Sequence, residues 1–145
     1  MTSGPTAVGD RVSTRHWRGR LLIASCIVAV GVHLFGLYRV TGPPSVSWFP
    51  DSDKVEHAVG FGLPVFLILL ALRWYGRCTP IRQWLVVGIF AAHAVASELI
   101  QHWFYVSRSG DPRDALADWV GIALGWLGYR LVARRMARRP VRSHG

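Results

Sequence analysis

Acidic residues are scarce in this chain: eight in 145, against 17 lysines and arginines. Charged residues of both signs make up only 17%, where a soluble domain carries about a quarter. With 51% hydrophobic residues and a mean hydropathy of +0.27, this deficit argues against a water-soluble domain and points to the membrane as solvent. Cysteine is nearly absent too. Cys26 lies inside the first apolar run and Cys78 in a short basic loop after the second. If those runs span, the two thiols never meet, which excludes a disulfide framework. There is no internal repeat, and no low-complexity tract beyond an arginine-rich tail. The length suits one domain. A net charge of +9 taken alone could indicate nucleic acid. The basic residues sit between apolar runs and form no continuous groove-binding element, so no nucleic-acid partner is expected.

What the chain does have is four long apolar stretches. The first, "LLIASCIVAVGVHLFGLYRV" (21–40), covers about 30 Å as a helix, one hydrocarbon core, and its only charge is Arg39. The others run over about 55–72, 83–100 and 115–132. The first is too long, with too long a leader, for a cleaved signal peptide, and reads as an uncleaved anchor. The expectation is an all-α membrane protein, a bundle of four transmembrane helices over residues 21–133, between a basic tail at 1–20 and another at 134–145. Arg11, Arg15, Arg18 and Arg20, then Arg73, Arg77 and Arg82, then Arg130, Arg134, Arg135, Arg138, Arg139 and Arg142 fall on one side of four spans. The positive-inside rule makes that side, and both termini, cytoplasmic. The expected location is the cytoplasmic membrane, with the basic tails on anionic inner-leaflet lipid.

Seven of the eight acids map to the opposite half: Asp51, Asp53, Glu56, Glu98, Asp111, Asp114 and Asp118. Acids contribute little to topology, so their segregation marks a site. Helix rise puts Glu98 about 22 Å above Gln83, His57 about 24 Å above Arg73, and Asp118 about 18 Å above Arg130. All three lie in the outer leaflet at similar height. A carboxylate there costs about 2.5–3.5 kcal/mol on insertion scales, so each must face a partner or a wet cavity. In "AVASELIQHWFYVSR" (94–108), Glu98, Gln101 and His102 share one side of the third helix. Asp114, Asp118, Gly121 and Gly125 form a band at i, i+4, i+7 and i+11, with "GIALG" (121–125) as a packing seam. On the second helix Gly60 and Pro64 lie beneath His57, and on the third Ala91 and Ala94 lie beneath Glu98.

Some of these acids have plain roles. In "GDPRDALAD" Asp111 suits an N-cap, with Pro112 at N1 and Asp114 at N3; in "PDSDKVEH" Ser52 or Asp53 can cap and Glu56 complete the box. Asp118 lies a full turn beyond any cap, and Glu98 sits where the macrodipole disfavours an anion. Those two are either members of a buried ion network with Lys54, His57 or Arg108, or parts of a functional site. His33 and His93 read as satisfied core histidines.

The run "DKVEH", then "ELIQ", then Arg108, then "DALADWVGIALG" resembles the VanZ-like family of small bacterial membrane proteins over residues 20–133. The resemblance carries the family's pattern onto Asp53, Lys54, His57, Glu98, Gln101, Arg108, Asp114, Asp118 and Gly121. Asn is common in the family where Asp118 stands, so this chain would hold one more titratable acid. The family's namesake is linked to glycopeptide (teicoplanin) resistance at the cell envelope, through a biochemical mechanism that is not established.

Helix N-termini together with Lys54, Arg108 and Arg113 favour an anionic group. The expected site binds a polar or anionic envelope lipid, such as a lipid-linked cell-wall precursor, through Asp53, Lys54, Gln101 and Arg108. His57, Glu98, Asp114 and Asp118 are the candidate acid–base groups should chemistry follow. The alternatives are a non-catalytic membrane module whose polar cluster is a buried stabilising network, and a small ion or proton pathway. His57, Glu98, His102, Asp114 and Asp118 are suitable metal ligands. No HExxH-like pairing is present and Lys54 competes electrostatically, so no metal or other cofactor is expected.

Overall fold

In a computed structural model the described residues are 7–38, 52–104 and 112–138, with side chains from residue 14 onward apart from Arg15. They form four helices: α1 (Ala7–Tyr38), α2 (Ser52–Trp74), α3 (Pro80–Phe104) and α4 (Pro112–Ala137). No strand occurs among the described residues. Arg39, Asp51, Arg108 and Asp111 lie outside them, as do the last seven residues.

Three segments are long and apolar enough to cross a membrane: His16–Tyr38, Ser52–Trp74 and Pro80–Phe104. α4 has the length, but Arg113, Asp114, Asp118 and its run of arginines keep it out of that group. The chain is therefore a multi-pass membrane protein on the strength of α1, α2 and α3. The outside is apolar, as lipid contact requires: Ile27, Val32, Phe35, Ile81, Phe104 and Leu124 are all largely exposed. The basic leader is helical from Ala7 and continuous with α1. Likewise α4 runs on through "RRMA" past the expected boundary at 133.

Local signals explain the turn between α2 and α3. Gly76 adopts the left-handed conformation (φ 67°). Its N–H donates to the Arg73 carbonyl at 2.9 Å and the Arg77 N–H to the Leu72 carbonyl at 2.7 Å. That pair of bonds is a Schellman close, which a β-carbon at Gly76 would strain. Thr79 then caps α3: its Oγ1 accepts from the Arg82 N–H at 3.4 Å, and Pro80 takes the first helical position.

α2 and α4 run parallel and touch along their backbones. A β-carbon on Gly121 would meet the carbonyl of Ala58, and one on Gly125 would meet that of Gly62. In lipid there is no hydrophobic force between helices, so such close van der Waals contact is what holds them. α3 and α1 run antiparallel to this pair. The core is Phe61, Val65, Leu69, Ala94, Ile122 and Tyr129, closed on the α1 side by Leu37. At the basic end, Gly19 lets Trp74 and Tyr75 approach α1, Tyr129 donates to Cys78 Sγ at 3.0 Å, and Trp84 stacks on Trp126. Both cysteines are free.

Candidate functional site

Because α2 and α4 are parallel, their N-terminal turns lie side by side at the end opposite Arg73, Arg77, Arg82 and Arg130. α3 delivers its C-terminal turns to the same place. His57 from α2, Glu98 from α3 and Asp118 from α4 therefore meet, each offering one ligand-type atom within 4.8 Å of the others. Their similar heights along the helices, set by helix rise, and the shared packing face give the physical reason.

The closest contact is between His57 Nδ1 and Asp118 Oδ1, at 2.9 Å. The other ring nitrogen, Nε2, lies 3.9 Å from Asp114 Oδ2. One imidazole thus bridges two carboxylates that are one turn apart on α4, and the roles of its nitrogens depend on the tautomer. Lys54, the only lysine in the chain, reaches Asp53 Oδ2 at 3.3 Å and Asp114 Oδ1 at 3.7 Å. The order from the mouth inward is Asp53, Lys54, Asp114, His57, Asp118. Exposure falls along it, from 53% for the Asp53 side chain to 0% for Asp118.

Other expected residues take different positions. Gln101 is buried, and its Nε2 donates to the Leu37 carbonyl at 3.3 Å, so it ties α3 to the end of α1. His102, expected beside Glu98, is exposed. The buried stripe of α3 is Ala94, Ser97, Glu98 and Gln101, and at about 100° per residue His102 falls well off its centre. Arg108 lies outside the described residues. Arg113 is exposed at the start of α4.

His33 and His93 were expected as satisfied core histidines. The structure corrects this: Nε2 of each is buried without a hydrogen-bond partner among the described residues. They pack instead against one another, with ring centroids 5.4 Å apart, and against the Phe61 ring, at 4.3 Å from His33 and 5.6 Å from His93. Sequence gave little warning of this, because α1 is apolar all round and its rotation about its own axis is set only by packing. Trp119, not singled out from the sequence, donates from Nε1 to the Ala91 carbonyl at 3.4 Å and joins α4 to α3 below the site.

Two open grooves flank α2. One, of about 840 Å³, lies against α1 and runs from Leu21 and Leu67 up to Glu56 and His57. The other, of about 880 Å³, lies against α4, between Val59, Leu63 and Phe66 on one wall and Leu116, Val120 and Leu124 on the other. Lys54 and Arg113 stand at its mouth.

Comparison with protein-family models, with curated proteins and with solved structures finds no match.

Proposed function

We propose that this chain is a four-span protein of the bacterial cytoplasmic membrane, both termini cytoplasmic, that binds an anionic envelope lipid at its outward polar end. The observation that carries the reading is the groove between α2 and α4. Its walls are apolar throughout, and the two charged residues among those that line it are both cations, Lys54 and Arg113. An acyl chain suits the walls and a phosphate or carboxylate suits the mouth, where the parallel N-termini of α2 and α4 add their partial positive charge. The volume lies within the range of ligand clefts. Asp53 and Asp114 hold Lys54 in place at that mouth. His57, Glu98, Asp114 and Asp118 are the groups that would act on a bound headgroup. The motif order shared with the VanZ-like family supports the same reading, and a lipid-linked cell-wall precursor is one ligand of the right chemistry.

The test is native mass spectrometry of the purified chain with added anionic and zwitterionic lipids. Wild type retains the anionic lipid preferentially. Lys54→Ala and Arg113→Ala each lower that retention by about tenfold, which corresponds to one charge-assisted contact. Equal retention in all three proteins would remove the proposal.

A second reading is a stabilising module that does nothing to a ligand. The full burial of Asp118 against His57 favours it. It predicts that Glu98→Gln and Asp118→Asn lower stability and leave lipid retention and any cellular phenotype intact.

A further inference from the structure

No two metal-ligand residues of the His57 cluster share a helix, so no sequence motif could announce what folding brings together. His57, Glu98 and Asp118 come from α2, α3 and α4, and their donor atoms lie within 4.8 Å of one another. Glu98 and Asp118 are buried and His57 nearly so. One imidazole and two carboxylates form the kind of three-residue set that holds a catalytic divalent ion and leaves a coordination position open.

Two further observations distinguish this from a chance meeting of polar groups. Asp118 is fully enclosed, and its Oδ2 has no hydrogen-bond partner among the described residues. An enclosed carboxylate oxygen without a donor is costly, and a cation in the cluster offsets that cost. The second observation is the carboxylate behind the imidazole: Asp114 Oδ2 stands 3.9 Å from His57 Nε2, an ion-pair distance beyond hydrogen-bond reach.

We propose that His57, Glu98 and Asp118 bind one divalent cation of the zinc class. With tetrahedral bonds of about 2.1 Å, neighbouring ligand atoms around such an ion stand about 3.4 Å apart. His57 Nδ1 and Asp118 Oδ1, hydrogen-bonded at 2.9 Å, need to part by only about half an ångström to take the ion between them. The looser limit of the triad, 4.8 Å, leaves Glu98 a closing movement of at most about 1.4 Å around an ion of that size. Lys54 meets Asp53 and Asp114, on the Nε2 side of the imidazole, so its charge does not occupy the Nδ1 side. The proposal does not depend on lipid binding, because metal content is read on protein purified in detergent.

The experiment uses the full chain, stripped with a chelator, dialysed against zinc and measured by elemental mass spectrometry. Wild type takes up about one zinc per chain. His57→Ala and Asp118→Asn lower its affinity by at least about tenfold, while His102→Ala leaves it unchanged. Circular dichroism confirms that the variants stay helical. Cobalt(II) loaded into wild type alone gives a second readout that needs no variant: intense visible bands of a low-symmetry protein site. Wild type without zinc after dialysis, zinc retained by His57→Ala, or a cobalt spectrum like that of the hydrated ion would each overturn the assignment.

Discussion

His57 and Asp118 are 61 residues apart in sequence, and their side chains meet at 2.9 Å between Nδ1 and Oδ1. This contact joins α2 to α4 at the polar end, directly above the seam where Gly121 lies against the carbonyl of Ala58. The glycine seam brings the backbones close enough for the polar pair to form. The pair in turn gives the fully enclosed Asp118 carboxylate a partner that a lone buried carboxylate would lack.

Breaking the pair from one side should therefore cost more than removing both partners. Asp118→Ala is expected to destabilise the bundle by about 3–5 kcal/mol, because it leaves a buried imidazole without its carboxylate. Adding His57→Phe on that background should cost far less than His57→Phe alone, with a coupling of about 0.5–3 kcal/mol. Reversible unfolding of the four proteins in mixed detergent, with chelator present, measures this. Simple additivity would show that the contact contributes nothing.

The seam makes its own prediction. Gly121→Val places branched carbons against backbone that has no side chain to move aside. The helices must separate, at a cost of about 1–3 kcal/mol. Gly88, whose added β-carbon would meet nothing within 4 Å, is the control: Gly88→Ala should be neutral or slightly stabilising. Thermal unfolding of both variants checks the contrast.

Gln101 is expected to matter for α1 and not for the cluster itself. Its Nε2 donates to the Leu37 carbonyl and so ties α3 to α1. Gln101→Leu should cost about 0.5–1.5 kcal/mol. Hydrogen exchange should rise mainly in the last turns of α1, with the α2–α4 seam unaffected. A uniform rise over all four helices would place Gln101 in the cluster instead.

Much of this arrangement could be read in advance, for a simple reason. Helix rise is fixed at about 1.5 Å per residue, so the depths of His57, Glu98 and Asp118 follow from counting. The spacing of Asp118, Gly121 and Gly125 puts them on one face without any knowledge of the partner helix. Rotation is harder. His102 falls off the buried face because the whole stripe from Ala94 to Gln101 defines that face, and one polar neighbour of Glu98 does not. His33 and His93 were misjudged because their surroundings are supplied by Phe61 and by each other, contacts that no local pattern encodes. α4 shows the limit for spans. The charges that build the site are the same ones that lower its apolar character below that of the other three helices.

The account turns on where a lipid sits. A photoreactive anionic phospholipid, with its diazirine midway along an acyl chain, can be crosslinked to the chain in bilayers and the adducts mapped by peptide mass spectrometry. Adducts concentrated on Val59, Leu63, Val120 and Leu124, which line the groove below Lys54 and Arg113, and lost in the Lys54→Ala, Arg113→Ala double variant, are the predicted result. Labelling spread evenly over outward faces such as Ile27 and Ile89, and indifferent to the two cations, would contradict it.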